Sequence, residues 1–156
     1  MDLLQESIAL ARQHQISDEI VRGLIDLGWV THESGEEGQA AEVFIEGLGL
    51  AVKPTPAWAA ASALEGLASI STNHRRLQTA AQLFSVANRL RATSGVPVRA
   101  IDRPCVERQL ALVRSILGEE HFEIAWQQGQ AMTVEETVAA ASTGLETSGV
   151  VDSPRG

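Results

Sequence analysis

The side chains of this sequence that are able to do chemistry are four histidines, one cysteine and several adjacent glutamates. None of the histidines has the spacing of a zinc motif, and Cys105 is the one thiol that could join them. The acids occur as neighbours, as in Glu36-Glu37 and Glu119-Glu120, near predicted helix starts. Neighbouring residues on a helix point in different directions, so such pairs do not converge on one substrate. The residue types therefore predict no enzyme, no metal site and no cofactor.

Nucleotide and nucleic-acid chemistry is not indicated either. The single lysine, Lys53, lies beside prolines rather than in a glycine-rich phosphate loop. The chain carries a net charge of −8, which disfavours direct nucleic-acid binding, and we find no helix-turn-helix with a basic recognition face. No basic leader or long apolar run is present, and one cysteine suits a reducing compartment. We therefore expect a cytoplasmic protein that does not enter a membrane.

The periodicity of the apolar residues predicts an all-α protein. The sequence is rich in alanine, only 4% aromatic, and repeats its apolar positions with helical spacing almost from end to end. Thr133 and Glu136 form a capping box at the last helix. The predicted helices cover about 3–13, 18–33, 38–52, 57–71, 75–92, 103–117, a segment around 122–129, and 133–141. Residues 1–142 are predicted to form one domain, and 143–156 a disordered tail.

An internal repeat of forty residues organises these helices. In each copy a small residue is followed twelve positions later by alanine and four later by phenylalanine. The two sets are Gly28, Ala40 and Phe44, then Ala68, Ala80 and Phe84. Small residues let two antiparallel helices approach closely, and a ring then fills the space between neighbouring helix pairs. Because one pair alone cannot bury its apolar face, we expect the pairs to stack as a solenoid.

This pattern resembles the tetratricopeptide repeat, whose unit has 34 residues, so extra length is needed near Lys53–Pro56. The resemblance implies a solenoid of about eight antiparallel helices with a concave groove lined by the first helix of each pair. Carried over residue by residue, the groove positions are Arg22, Ile25, Trp29, His32, Glu33, Ser62, Glu65, Ser69 and Asn73. Trp29 is the expected anchor for a partner, although packing against the preceding helix is an equal alternative. Arg22 and Glu65 would grip a charged group or pair with each other, and Trp126 is expected in the core.

The chain also has a closer resemblance, which spans roughly residues 20–142 and is most specific in the second half. It resembles the C-terminal helical repeats of bacterial signal-transduction ATPases and LuxR-type regulators. Its most specific positions are Phe122, Ala125, Trp126, Gly129, Glu135 and Glu136. The resemblance implies an interaction or sensory module that binds a protein or peptide partner in the groove. The first predicted helix looks like the second half of an earlier repeat, so we expect either a fragment or a chain that begins on an irregular cap. Two alternatives stay open: self-association that oligomerises a parent ATPase, and binding of a small-molecule effector.

Charge is distributed unevenly along the chain. Between residues 75 and 114 there are eight arginines and two acids, whereas the rest of the chain is strongly acidic. One interpretation of this basic region is a docking surface. The alternative is that Arg89 and Arg91 complement a helix C-terminus while the other arginines are solvated.

Overall fold

The computed structural model describes residues 3–6, 17–50 and 57–147, with side chains placed for 3–6, 19–48 and 57–143. These residues form helices and contain no strand, which confirms the all-α prediction. Seven helices have defined bounds, and residues 3–6 are helical as well. The helices are α1 (Ser17–Glu33), α2 (Glu37–Leu50), α3 (Ala57–Asn73), α4 (Leu77–Ser94), α5 (Arg103–Leu117), α6 (Glu119–Gln130) and α7 (Val134–Thr147).

The forty-residue repeat is present in the backbone. In the turn between α1 and α2, the amides of Ser34, Gly35 and Glu36 donate to three carbonyls at the end of α1. The amides of residues 74, 75 and 76 make the same three bonds at the end of α3. Gly35 takes a left-handed φ of 84°, and Arg75, its equivalent forty residues on, takes 62°. The two helix pairs therefore share one turn, although the second copy lacks the glycine that favours it.

The phenylalanine of the first repeat fills the gap that small residues leave. Phe44 has no exposed surface, and its ring lies directly against the backbone of Gly28 on α1 and Gly66 on α3. A Cβ atom added at either glycine would come closer than 3.0 Å to the ring. The ring also meets Trp29 edge-on, with centroids 5.6 Å apart. The close approach of α1, α2 and α3 therefore depends on these two glycines.

Helix α3 is the centre of the molecule. Every residue from Ala59 to Thr72 is buried, so the helix has no solvent face within that range. It contacts α1, α2, α4, α5 and α7. Its hydroxyl residues do not need water, because Ser69 and Thr72 donate to carbonyls four residues back in the same helix.

Polar contacts hold α6 against the two helix pairs. Arg89 on α4 donates to the carbonyls of Gly129, Gln130 and Met132, which lie at the end of α6. Gly129 permits this approach, since a Cβ atom there would lie 2.7 Å from the carbonyl oxygen of Gln82. Helix α7 then contacts α2, α3 and α4.

Most helix boundaries follow the sequence prediction, with one clear exception. The capping box is confirmed, because the Thr133 amide donates to the Glu136 carboxylate and the Glu136 amide to the Thr133 hydroxyl. Helix α7, however, ends at Thr147 rather than near residue 141, where the sequence predicted its end. The remainder of that tail, most of the first predicted helix and the proline linker lie outside the described residues. None of the described helices is long and apolar enough to cross a membrane.

Candidate binding site

The structure divides the predicted groove residues into buried and accessible sets. Ile25, Trp29, Ser62, Glu65 and Ser69 are buried, whereas Arg22, Glu33 and Asn73 are exposed and His32 is half-buried. A side chain with almost no exposed surface cannot supply contact area to a partner in this conformation. The predicted anchor role therefore does not fit Ile25 and Trp29, and Ser69 is equally out of reach.

Trp29 is held by specific partners within the core. Its indole N–H donates to the Ser62 hydroxyl over 3.0 Å, and its ring packs between Phe44 and His32. A buried indole N–H needs such an acceptor, so Ser62 satisfies the one polar atom of this side chain. Trp29 is therefore a core residue, held by residues of α1, α2 and α3; packing against the preceding helix, the sequence-based alternative, lies largely outside the described residues.

Glu65 and Arg22 do not pair with each other. Both oxygens of Glu65 accept from Arg91, from Nη2 at 2.6 Å and from Nε at 3.2 Å. The side chains of Glu65 and Arg91 are only 4% and 11% exposed, so this is a buried, two-pronged ion pair. Arg22 instead lies over the ring of Trp58, 5.1 Å from its centroid. Burial raises the pKa of Glu65, and the hydrogen bonds and charge of Arg91 oppose that shift.

The Glu65–Arg91 pair lies on the wall of a cavity of about 550 Å³, which we name the α5 cavity. Its apolar lining comes from Pro97, Val98, Val106, Leu110 and Trp126, and its polar lining from Glu65, Asn88, Arg91, Arg103 and Glu107. Trp126 is half-buried rather than fully in the core, and its ring stacks on Phe122 with centroids 5.5 Å apart. Ligand sites in proteins typically combine this volume with mostly apolar walls and a few fixed polar groups.

A second, smaller cavity of about 280 Å³ lies between α1 and α5. Trp29, His32 and Glu33 line one side, and Ile101, Asp102, Cys105 and Arg108 line the other. Next to it, Arg99 joins the two elements, because Nη1 donates to Asp26 on α1 and Nε to Asp102 before α5, each over 2.7 Å. This bridge places the start of α5 across from α1.

His32 lies near a carboxylate that links the two turns. Glu37 accepts hydrogen bonds from Asn73 and contacts the His74 ring nitrogen over 2.7 Å. The Nδ1 atom of His32 is 3.7 Å from the same carboxylate and makes no hydrogen bond, although it is buried. Burial lowers the pKa of His32, and the charges of Glu37 and Glu33 only partly offset this.

The arginines of the basic region divide into exposed residues, among them Arg75, Arg103 and Arg108, and residues held by contacts within the protein. Arg89 holds the end of α6, Arg91 holds Glu65, Arg99 holds two aspartates and Arg114 pairs with Glu119 at the surface. The contacts of Arg89 and Arg99 join α6 and the start of α5 to the repeats. Arg89 donates to carbonyls at a helix end, whereas Arg91 pairs with a buried carboxylate that the sequence interpretation did not include. The docking surface stays a prediction.

Sequence reasoning missed Arg91 and the α5 cavity as site features. Arg91 occupies a basic stretch where eight arginines look alike, and its carboxylate partner is 26 residues away. Within the described part of the chain, no three histidines, cysteines or acids converge in a way that would hold a metal ion.

Comparison of the chain with protein-family models, with curated proteins and with solved structures finds no match in any of the three.

Proposed function

We propose that this protein is a binding module that recognises a segment of a partner protein, with the α5 cavity as the anchoring site. The observation that carries the proposal is the cavity itself, which joins an apolar wall to a buried ion pair. Trp126 supplies a rigid aromatic surface there, the kind of side chain that dominates binding energy at interfaces. The site lies on α5 rather than on α1, where the sequence placed it.

The repeat supports an interaction role. Two helix pairs with one shared turn are what a stacked, tetratricopeptide-like solenoid is made of, and such folds present their surfaces to extended partners. The resemblance to the helical repeats of LuxR-type regulators supports a place in a signalling or transcriptional regulator, with this chain as the scaffold or sensor.

A displayed library of random peptides tests this function and does not require the natural partner to be identified first. Peptides selected on wild-type protein would be measured again on Leu110→Ala and on Leu112→Ala. Leu110 lines the cavity, whereas Leu112 is 43% exposed on the same helix and lies outside it. Selected peptides should lose affinity with Leu110→Ala and keep it with Leu112→Ala. A library that yields no binder, or binders indifferent to Leu110, would contradict the proposal.

A small-molecule effector is the second candidate, favoured by the cavity volume of about 550 Å³, which lies within the usual range for small ligands. It predicts that a compound raises the melting temperature of wild type and not of a variant with the cavity filled, such as Asn88→Trp. Peptide selection would then give no binders.

A further inference from the structure

Glu65 has hydrogen-bonding capacity that the protein leaves unused. An ionised carboxylate has about four acceptor positions. Arg91 takes one on each oxygen, and no other hydrogen bond reaches this side chain among the contacts of the described residues. Glu65 is one of the residues that line the α5 cavity, so a ligand in that space would lie beside a carboxylate that has unused acceptor positions.

Arg91, by contrast, has almost no donors left for a ligand. Besides the two bonds to Glu65, its Nη1 group donates to the carbonyls of Val96 and Pro97. Four of its five N–H groups are therefore directed at the protein itself. The buried part of the cavity consequently offers a ligand acceptors rather than donors.

The residues at the mouth of the cavity do not reverse this preference for a ligand that donates hydrogen bonds. Arg103 and Glu107 are one turn apart on α5, are both exposed, and carry opposite charges. Arg103 also donates to the carbonyl of Val98. With a net charge of −8, the whole chain attracts cationic groups.

We propose that the α5 cavity receives a lysine side chain of the partner segment, with its ammonium group bonded to Glu65 and its methylene stem along Leu110 and Trp126. A compact ammonium can bond to a single free acceptor position, because each of its three N–H donors acts separately. A guanidinium would compete with Arg91 for both oxygens at once, so arginine fits less well. The raised pKa of Glu65 agrees with a buried carboxylate that has too few partners. This inference rests on the proposed function and specifies what the site recognises.

The test uses n-butylammonium, which reproduces the lysine side chain, with n-butanol and butanoate as matched probes. Each would be titrated into wild-type protein while the indole N–H signal of Trp126 is followed by NMR. We expect n-butylammonium to bind about tenfold more tightly than n-butanol, as a charged hydrogen bond implies, and butanoate to bind most weakly. Equal affinity for the three probes, tighter binding of butanoate, or no response at Trp126 would overturn the proposal.

Two variants separate the carboxylate from the rest of the cavity. Glu65→Gln should abolish the preference for ammonium and, by releasing Arg91, favour butanoate. Glu107→Gln, which alters a carboxylate at the mouth and leaves the buried one intact, should keep the preference. Should Glu65→Gln fail to fold, loss of the preference in Glu107→Gln would still contradict the assignment. Peptide binders that depend on Leu110 while the amine preference is absent would refute this inference and leave the proposed function standing.

Discussion

Replacing Gly66 by alanine should destabilise the protein, because the site has no room for one more carbon. The added Cβ would come closer than 3.0 Å to the ring of Phe44, which has no exposed surface and meets Gly28 on α1 as well. Overpacking of a core costs about 1–3 kcal/mol. Alanine recovers about 1 kcal/mol through its better helix propensity. Gly28 stops the ring from moving freely, so we expect the upper end of the overpacking cost, about 3 kcal/mol. The free energy of unfolding should then fall by about 2 kcal/mol after the gain in helix propensity.

Gly47 provides the matched control in the same helix as Phe44. A Cβ atom there would meet Leu24 at 3.6 Å and Ile25 at 3.7 Å, which are ordinary contacts. Gly47→Ala should therefore stabilise the protein by about 0.5–1 kcal/mol. Urea unfolding followed by far-ultraviolet circular dichroism gives both free energies of unfolding. If Gly66→Ala proved as stable as Gly47→Ala, the close packing of α2 against α3 would be refuted.

Further predictions concern polar contacts. Arg89→Met should cost about 1–3 kcal/mol in the free energy of unfolding and speed amide exchange at the end of α6, since three carbonyls lose their donor. Arg114→Met breaks an exposed ion pair and removes a guanidinium from over the Phe122 ring, and it should cost less, about 1 kcal/mol or below. Ser62→Ala should cost about 1–3 kcal/mol in urea unfolding, because the buried indole N–H of Trp29 loses its acceptor. Burial lowers the pKa of His32 in the folded protein from its usual 6.5. As the pH is lowered, the unfolded state therefore binds the proton before the folded state does. The free energy of unfolding should then fall as pH drops below about 6.5. His32→Gln should reduce that slope of stability against pH, and an unchanged slope would rule out His32 as its source.

Local signals predicted much of the fold. The repeat indicated the helix pairs and their shared turn, because the same small residues and phenylalanine recur at a constant offset. The capping box at Thr133 was equally visible, since both of its partners lie within one helical turn. The full extent of α7 was not visible in the sequence, because its last residues are rich in serine, threonine and glycine and look like a tail. The tertiary contacts of α7 with α2, α3 and α4 are not part of any local pattern.

The site depends on contacts that no local pattern reveals. Buried residues occupy much of the surface of α1, so an apolar stripe alone did not separate its core side from its groove side, and Ile25, assigned to the groove, lies in the core. Glu65 was among the predicted groove residues, but its ion-pair partner Arg91 depends on the packing of α3 against α4. The cavity requires α5 to lie beside both helices, and the forty-residue repeat does not specify that arrangement.

Binding of a partner segment in the α5 cavity would be measured by hydrogen–deuterium exchange of wild-type protein, with and without a library-selected peptide. We expect slower amide exchange from Val106 to Leu110 and around Trp126, with the helices far from the cavity unchanged. Slower exchange confined to other helices, or no change in exchange anywhere, would show that the peptide does not bind in this cavity.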